Sequence, residues 1–207
     1  MNRLILVRHG ESAWNKERRY QGQQDVPLSP LGWLQAERLR ERLAGERIDA
    51  VYASDLVRAV ETAETIVQGR CLTIEKCPEL REAYFGEWEG LTFEEVAARD
   101  GEKLNRLLAE PHLVAPASGE GLPELQRRVC SWVEPIVRQQ RGSVLVVSHY
   151  GPLKSLLCHF LGLDLGSYFR IRMDNASVSI VDIYPQGPVV SLLNDTHHLR
   201  ECDGYQS

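Results

Sequence analysis

The sequence predicts an α/β fold, a three-layer sandwich in which a mostly parallel central sheet lies between helices. Short apolar segments typical of buried strands alternate along the chain with longer segments whose apolar residues recur at helical spacing. This alternation is typical of parallel sheets covered by helices on both faces. The 207 residues suffice for one sizeable core. Because no repeat or low-complexity linker interrupts them, we predict a single domain over residues 1–207.

The N-terminal part of the chain predicts the first strand and the first long helix. Residues 4–7, LILV, are uniformly apolar, which indicates a buried strand. Ser29 and Pro30 are an N-cap residue and a proline suited to the first helical turn. Leucines at helical spacing follow them, so we predict a helix that ends at Gly45.

The middle of the chain predicts a further strand and two further helices. Residues 50–53, AVYA, predict a second short strand. Ser54 and Asp55 follow it and are predicted to cap a helix whose apolar residues recur at helical spacing. Another helix is predicted over residues 122–137, where Pro135 is expected to kink the helix or to shorten its last turn.

The C-terminal part predicts one buried strand, one helix and a pair of late strands. Residues 143–148, SVLVVS, are the clearest buried strand, and an apolar helix is predicted over residues 153–161. Residues 177–183 and 189–193 are predicted to pair as a hairpin through the turn sequence Pro-Gln-Gly. In sheets of this kind, binding sites lie beyond the carboxyl ends of the strands.

Composition argues against several classes of protein. The net charge of −5, from 24 basic and 29 acidic residues, disfavours a nucleic-acid partner. No apolar run approaches the roughly 20 residues that cross a bilayer, and the N-terminus lacks the layout of a signal peptide. The cysteines follow neither a disulfide nor a zinc pattern; they are Cys71, Cys77, Cys130, Cys158 and Cys202. We therefore predict a cytoplasmic protein with buried thiols and without a membrane partner.

Cationic and titratable side chains follow three of the predicted strands. Arg8 and His9 come directly after the first strand, and His149 comes directly after SVLVVS. Arg58 lies in the first turn of the helix after residues 50–53. The carboxyl ends of parallel strands meet at one edge of a sheet, so these side chains are expected to converge there. Two guanidinium groups suit a phosphate dianion, because each offers a planar set of donors.

A histidine at such a site could also react. A neutral imidazole is a nucleophile that could attack phosphorus, and flanking arginines would keep His9 neutral. The leaving alkoxide needs a proton, for which Glu82 in LREAYFGEWEG is the candidate. A metal site built from His9, His149 and Glu82 is disfavoured, because two arginines beside it would repel a cation.

A series of ordered sequence blocks carries a family resemblance. They are RHGESAWN, YQGQQDVPLSPLGWLQA, VYASDLVRAVETAE, ELREAYFGEWEG, SGEGLPELQRRV, VVSHYGPLKSLL and DNASVSIVDI. Together they resemble the signature of the histidine phosphatase superfamily, the phosphoglycerate-mutase-like proteins, from residue 8 to about residue 183. One tripeptide would be a weak signal, whereas this many blocks in the right order are a strong one.

The resemblance implies a role for each of the matching residues. His9 would be the phosphorylated nucleophile, and Glu82 would be the proton donor that later acts as a base on water. The remaining implied phosphate-site residues are Arg8, Arg58, His149, Asn15, Gln21 and Gly22. No metal and no other cofactor is implied. One departure is that Tyr150 stands between His149 and a glycine, where the family usually has glycine directly after the histidine; Tyr150 could narrow the mouth of the site or merely pack.

These roles predict a metal-independent phosphomonoesterase that acts through a phosphohistidine intermediate. Its partner would be a small soluble phosphate ester such as α-ribazole phosphate or phosphoserine, with residues 90–121 as a cap that selects the leaving group. The alternative is a 2,3-bisphosphoglycerate-dependent phosphoglycerate mutase. Mutases of the family tend to be longer at this insertion, which favours hydrolysis here. A homodimer stays open, because dimers are common among relatives.

Several competing interpretations accompany these assignments. Three nearby carboxylates compete with Glu82 for its role, namely Glu79, Glu87 and Glu89. Arg58 could instead form a surface pair with Glu61, one helical turn further on. His159 lies in an apolar segment and is expected to be a packed core or interface histidine. His197 or His198 could contact substrate or belong to a surface tail. The aromatic residues near the site are expected to pack rather than bind a cofactor; they are Trp14, Tyr84, Phe85 and Trp88.

Overall fold

A six-stranded sheet forms the centre of the part of the chain that the computed structural model describes, residues 2–139 and 142–200. Its strands are β1 (Asn2–Arg8), β2 (Ala50–Ala53), β3 (Ile74–Lys76), β4 (Gly142–Ser148), β5 (Val178–Tyr184) and β6 (Gly187–Asp195). The helices are α1 (Ala13–Lys16), α2 (Pro30–Arg42), α3 (Val57–Val67), α4 (Phe93–Ala109), α5 (Leu122–Gln139) and α6 (Tyr150–Leu161). Short 3₁₀ turns lie at Pro78–Leu80, Gly86–Trp88, Leu165–Arg170 and His197–Leu199.

The strand order is β3-β2-β4-β1-β5-β6, and most neighbours run parallel. β1 pairs in parallel with β4, β4 with β2, and β2 with β3. β5 runs antiparallel to β1 and forms a hairpin with β6, as the late strands predicted. The α/β fold with a mostly parallel sheet between helices is therefore confirmed. The sequence did not predict β3, whose three residues are too few to show a pattern.

Each face of the sheet has its own apolar core. Leu4 and Leu6 of β1 pack in one cluster with residues of α5 and α6, whereas Ile5 and Val7 pack in another with residues of α2 and α3. Successive side chains of a strand point to opposite faces, so a uniformly apolar strand is buried on both sides. Arg8 has the same parity as Leu4 and Leu6 and therefore points towards α6.

The caps of the first two long helices differ in how well the sequence predicts them. The Ser29 hydroxyl accepts a hydrogen bond from the Gly32 N–H, as expected of an N-cap, but α2 ends at Arg42 rather than at Gly45. Ser54 and Asp55 do not cap α3, because Leu56 is its N-cap residue.

A long-range contact replaces the predicted cap of α3. The Val57 N–H donates to the Asp25 carboxylate at 2.6 Å, and Asp55 is paired instead with Arg81. Nothing adjacent in sequence signals either partner. Two C-terminal boundaries also move: α5 continues to Gln139 past an exposed Pro135, and α6 begins at Tyr150, before residue 153.

The segment predicted as a cap contains α4 and the loop that follows it. The Thr92 hydroxyl and the Glu95 side chain form reciprocal N-cap hydrogen bonds, which explains why α4 begins at Phe93. Trp88, Val96 and Leu104 form a small apolar cluster apart from the two sheet cores. The Trp88 indole N–H donates to Asp100 at 2.7 Å, beside the kink in α4 at that residue.

Candidate active site

Strand register brings the two central histidines together. Arg8, the last residue of β1, lies opposite Ser148, the last residue of β4. The next residues, His9 and His149, are therefore neighbours across the sheet, because paired strands lie about 4.8 Å apart. Their ring centroids are 5.0 Å apart and their planes meet at 60°. Both histidines are almost completely buried.

The His9 ring is held in one orientation. Its Nδ1 lies 2.6 Å from the Gly10 carbonyl oxygen, which can only accept a hydrogen bond. Nδ1 therefore carries the proton, and Nε2 keeps a free lone pair with no hydrogen-bond partner among the described residues. Burial, reinforced by the positive charges of Arg58 and Arg8, holds the pKa of His9 well below its usual range. His9 is therefore neutral near pH 7.

Two buried guanidinium groups flank His9. Arg58 is anchored by hydrogen bonds from Nη1 to the Gln24 carbonyl at 2.7 Å and from Nη2 to the Gly22 carbonyl at 2.8 Å. Arg8 donates from Nη1 to the Met173 carbonyl at 2.7 Å. The Nε atoms of both arginines are buried without partners in the described part of the chain. Burial lowers the pKa of Arg58 to about 10, so it stays charged at neutral pH.

His149 has two unsatisfied ring nitrogens. Neither Nδ1 nor Nε2 has a hydrogen-bond partner among the residues that the structure describes, although both atoms are buried. Burial and the neighbouring Arg58 charge hold the pKa of His149 well below its usual range. Buried polar atoms are rarely left unpaired in folded proteins. A ligand oxygen beside His9 is one group that could satisfy them.

Glu82 is a buried carboxylic group placed by two backbone donors. Its Oε1 accepts hydrogen bonds from the Ala83 N–H and the Gly151 N–H, each at 2.9 Å. Burial raises the pKa of Glu82 above its usual value, although these N–H groups and the two arginines oppose that shift. Gly151 has no side chain here because a Cβ atom would collide with Oε1. The glycine after Tyr150 thus allows the close approach of the carboxyl group.

The remaining predicted residues border the same site. Asn15 Oδ1 accepts from the Ser12 N–H at 3.1 Å and from Asn175 Nδ2 at 3.1 Å, so its amide nitrogen is left as a donor. The Gln21 side-chain oxygen accepts from the Ser12 hydroxyl at 2.7 Å. Gly22 has φ +54°, and its Cβ would collide with the carboxylate of Glu89, so that loop needs glycine.

A cavity of about 250 Å³ opens at this edge of the sheet. One end is lined by the polar and charged residues Arg8, His9, Asn15, Gln21, Arg58 and Glu82. We call this the phosphate end. Of the predicted site residues, Gly22 also lines the cavity, whereas His149 lies against the His9 ring and is not part of the lining.

The other end of the cavity is mostly apolar. It is lined by α4, the loop after it and the Leu165–Arg170 turn, including Leu107, Leu108, Val114, Pro116, Tyr168 and Phe169. Phe85, Leu122 and Tyr150 complete this wall, which we call the leaving-group end. Its two charged residues are already paired: Arg19 with Glu17 at 2.7 Å and Glu120 with Arg128 at 2.7 Å.

Several competing interpretations from the sequence are resolved by geometry. Glu79 and Glu87 are exposed, and Glu89 is half-buried and accepts hydrogen bonds from the Gln23 and Phe85 N–H groups without lining the cavity. Glu82, in contrast, is buried at the cavity. Arg58 is also buried and does not form the surface pair with Glu61, because the Glu61 carboxylate accepts a hydrogen bond from the Leu28 N–H instead. The expectation of a packed core histidine at 159 is wrong, because His159 is exposed, with its ring beside that of Phe160. The alternative of an interface histidine stays a prediction. An apolar helix has no clear polar face in its sequence, so its exposed positions are hard to predict.

The C-terminal histidines and the aromatic residues are also placed. His197 is exposed, His198 Nε2 lies 3.0 Å from the Ala176 carbonyl, and neither lines the cavity. Of the four aromatic residues singled out in the sequence, Phe85 lines the cavity, and Trp88 is buried in the α4 cluster. Tyr84 is exposed and Trp14 is half-buried, and neither lines the cavity.

Further observations concern thiols, metals and membranes. Cys77, Cys130 and Cys158 are buried free thiols, but Cys71 is exposed, and Cys202 lies outside the described residues. Within residues 2–139 and 142–200, no group of three or more potential ligands is placed to hold a metal ion. The helices in the same ranges are too short or too polar to cross a bilayer.

The fold and the site together define a class of protein. An α/β sheet presents at its carboxyl edge two anchored guanidinium groups, a neutral imidazole with a free Nε2 and a buried carboxyl group. The guanidinium groups suit an anion with several oxygens, and the imidazole is oriented to act as a nucleophile. Such an arrangement suits reaction at a phosphoryl group.

The chain belongs to the histidine phosphatase superfamily (branch 1), whose family model matches residues 4–196. It is 38% identical over 202 residues to phosphoserine phosphatase 1 of Hydrogenobacter thermophilus, covering 97% of this chain and 96% of that protein. It is 32% identical to the adenosylcobalamin/alpha-ribazole phosphatase of Escherichia coli, covering 93% and 95% of the two chains. The solved structure of Bacillus stearothermophilus YhfR superposes with a TM-score of 0.91 at 37% identity, over 96% of this chain and 100% of that one. The family and these phosphatase relatives make the chain a phosphoester hydrolase.

Two polar residues near the site were missed by sequence reasoning. Asn175 orients Asn15 and also approaches the His9 carbonyl at 3.3 Å. Asn175 stands in DNASVSIVDI, one of the blocks that carry the family resemblance, but nothing in that block predicts a contact with Asn15. Lys154 is buried on α6 beside Tyr150. Its place in an otherwise apolar segment was the signal that could have marked it.

Proposed function

We propose that the protein is a metal-independent phosphomonoesterase that works through a phosphohistidine at His9. In the first step His9 Nε2 forms a bond to phosphorus while the bond from phosphorus to the leaving oxygen breaks, and the Glu82 carboxyl group protonates that oxygen. In the second step the Glu82 carboxylate takes a proton from water as the water oxygen attacks phosphorus. The N–P bond then breaks, which releases inorganic phosphate and restores both residues.

The observation that carries this proposal is the orientation of the His9 ring. The Gly10 carbonyl holds the proton on Nδ1, so Nε2 is the free nucleophile before reaction. After phosphorylation the ring becomes cationic, and the same carbonyl then stabilises the Nδ1–H. Arg8 and Arg58 would bind the equatorial oxygens, where charge develops in the transition state. The unpaired nitrogens of His149 support a contact with one of these oxygens.

The leaving-group end favours an ester with apolar surface. Its lining is mostly aromatic and aliphatic, and its two charged residues already have partners outside the lining, Arg19 with Glu17 and Glu120 with Arg128, rather than being free to bind a zwitterion. Among the two substrates that the relatives' names suggest, α-ribazole phosphate carries a neutral aromatic base, whereas phosphoserine carries an ammonium and a carboxylate. We therefore rank α-ribazole phosphate and similar esters above phosphoserine. We also assign to residues 90–121 the role of a cap that selects the leaving group.

A substrate screen tests this proposal. Purified protein is incubated with α-ribazole phosphate, 1-naphthyl phosphate, phosphoserine and 3-phosphoglycerate, and released phosphate is measured with and without a chelator. We expect hydrolysis that the chelator does not reduce, with higher kcat/KM for the two aromatic esters. Strict metal dependence, or no phosphate release from any ester, would overturn the proposed function.

The alternative activity is the transfer of a phosphoryl group within a phosphoglycerate. A mutase uses the same pocket but retains the phosphoryl group, so it would convert 3-phosphoglycerate to 2-phosphoglycerate without releasing phosphate. The same incubation with and without 2,3-bisphosphoglycerate separates the two activities. We expect phosphate release and no primed isomerisation. A cytoplasmic location, the lack of nucleic-acid and membrane partners, and the homodimer left open by the sequence all stay predictions.

A further inference from the structure

Lys154 is a buried cation that the proposed chemistry does not use. It lies on α6, one helical turn after Tyr150, and its exposed fraction is 0%. No carboxylate of the described residues forms an ion pair with it, and it does not line the cavity. Burying an unpaired ammonium is costly. A lysine in this position therefore needs a physical explanation.

Aromatic rings take the place of an anionic partner. Lys154 Nζ donates a hydrogen bond to the Tyr150 hydroxyl at 2.7 Å. The same nitrogen lies 4.0 Å from the centroid of the Tyr150 ring, 4.1 Å from that of Tyr168 and 5.2 Å from that of Phe169. Each distance is within the range of a cation–π interaction. One ammonium group thus contacts three rings that belong to two separate segments of the chain.

These three rings also form part of the leaving-group end of the cavity. Lys154 itself is not part of the cavity lining. The ring planes of Tyr150 and Tyr168 meet at 82°, and those of Tyr168 and Phe169 at 80°. Phe169 is partly exposed, so packing alone leaves it less constrained than Tyr168. The Lys154 ammonium contacts all three rings.

The phosphate end does not depend on this contact. Arg8 lies 5.3 Å from the centroid of the Tyr150 ring, but the Met173 carbonyl anchors its guanidinium group separately. Arg58 and His9 are held by backbone carbonyls far from Lys154 in the chain. A change at Lys154 should therefore alter the aromatic wall before it alters the phosphate-binding residues.

We propose that Lys154 is a positioning residue that fixes the aromatic wall of Tyr150, Tyr168 and Phe169 and thereby sets the affinity for apolar leaving groups. The inference rests on the proposed function, because it takes the cavity to be the ester-binding site. It assigns Lys154 no contact with substrate and no part in phosphoryl transfer. Its effect should appear in the KM for aromatic esters and not in kcat.

The charge of Lys154 is itself sensitive to pH. Burial lowers its pKa to about 7, while Cys158 and Glu82 favour the charged form and Arg8 opposes it. The other groups that face it are the Tyr150 hydroxyl and the rings of Tyr168 and Phe169. Loss of the ammonium charge above pH 7 would remove the cation–π attraction and loosen the wall.

The test compares Lys154→Met with the wild type and with Lys76→Met, which changes an exposed lysine on β3. KM and kcat are measured with 1-naphthyl phosphate, and inhibition by inorganic phosphate reports on the phosphate end alone. We expect KM to rise about 5- to 30-fold in Lys154→Met, with kcat and the phosphate inhibition constant within about 2-fold. Unchanged KM, or an equal rise in KM and in the inhibition constant, would overturn the inference.

A pH series and a second variant keep the test decisive if Lys154→Met does not fold. The ratio of KM for 1-naphthyl phosphate to KM for ethyl phosphate largely cancels the ionisation of the phosphate group, because both are monoesters with a second pKa of about 6. We expect this ratio to rise with pH through about 7 in the wild type. It should be flat in Lys154→Arg, whose guanidinium group stays charged over this pH range. A flat wild-type ratio would contradict the inference, whereas absence of any hydrolysis would contradict the proposed function instead.

Discussion

The two ends of the cavity are built in different ways. At the phosphate end Arg8 ends a strand, His9 follows it and Arg58 begins a helix, and backbone carbonyls anchor the His9 ring and the two guanidinium groups. At the leaving-group end the lining comes from α4, its following loop and a short 3₁₀ turn. Arg58 is 1% exposed, whereas Leu108 is 44% and Phe169 is 42% exposed.

This difference separates reaction from recognition. Register within a parallel sheet places His9 beside His149, and a sheet core resists rearrangement because it is closely packed. The leaving-group end depends on side chains of a helix with its own small apolar cluster, which can vary without disturbing the sheet. We therefore expect substitutions at the phosphate end to reduce kcat greatly and substitutions at the other end to change KM moderately.

Replacement of the proposed nucleophile should have the largest effect. In His9→Ala no atom can accept the phosphoryl group, so kcat for 1-naphthyl phosphate should fall by at least about 10⁴-fold. The control is His159→Ala, which changes an exposed histidine and should leave kcat unchanged. Thermal unfolding of both variants checks that they are folded. A residual kcat above about a tenth of the wild-type value would show that His9 is not the nucleophile.

Replacement of the proposed acid should have the next largest effect. Glu82→Gln keeps the shape but cannot donate a proton, so kcat should fall by about 10²- to 10⁴-fold for an alkyl phosphate. The fall should be smaller for p-nitrophenyl phosphate, whose leaving group needs no proton. Glu79→Gln is the matched control, because Glu79 is an exposed carboxylate three residues away. An equal loss for both esters would argue against a role as proton donor.

The pH dependence of kcat/KM also tests the role of Glu82 as the proton donor. His9 must be neutral to attack, and its lowered pKa keeps it so well below pH 6.5. Glu82 must be protonated to donate, and its raised pKa extends the protonated form above pH 4.5. In the wild type kcat/KM should therefore fall as the pH rises through the pKa of Glu82. That fall should be absent in Glu82→Gln, and its persistence would assign the basic limb to another group.

A conservative substitution at the phosphate end should reduce kcat/KM by an intermediate amount. Arg58→Lys keeps the charge but cannot bind the Gln24 and Gly22 carbonyls and an oxyanion at once, as the planar guanidinium can. We expect kcat/KM to fall by about 10- to 10³-fold, with weaker inhibition by inorganic phosphate. Arg47→Lys, at an exposed arginine, serves as the control. If inorganic phosphate inhibits Arg58→Lys as strongly as it inhibits the wild type, Arg58 does not bind the phosphate group.

A change at the leaving-group end should have the smallest effect. Leu108→Ala removes part of the apolar wall, so KM for 1-naphthyl phosphate should rise about 2- to 10-fold while kcat stays nearly constant. Leu113→Ala is a close control, because Leu113 belongs to the same segment but does not line the cavity. An equal change of KM in the two variants would contradict the assignment of residues 90–121 as a cap that selects the leaving group.

The sequence was informative about the phosphate end because its residues have rare chemistry in fixed places. Arg8, His9 and His149 follow apolar strands directly, so the parallel sheet itself predicts their convergence. Glu82 was harder to assign, since neighbouring glutamates differ from it only in burial. Burial depends on the Gly151 N–H and the surrounding packing, which the local sequence does not contain.

The leaving-group end could not be predicted in the same way. Leu108 and Phe169 are ordinary apolar residues, and nothing in their neighbours shows that they meet across a cavity. Lys154 was hidden in an apolar helix, where the contacts with Tyr168 and Phe169 depend on tertiary structure. The prediction of the α3 cap failed for a similar reason, because the group that accepts from the Val57 N–H is Asp25, which is distant in the sequence.

The most direct test is to locate a phosphoryl group on the enzyme during turnover. The protein is mixed with excess 1-naphthyl phosphate and quenched in base within milliseconds, and its peptides are then sequenced by mass spectrometry. We predict one phosphoryl group on Nε2 of His9 in the wild type, and its accumulation in Glu82→Gln if water activation becomes slow. A phosphoryl group on any other residue, or rapid-quench kinetics without a phosphoenzyme when N–P hydrolysis is rate-limiting, would contradict the account.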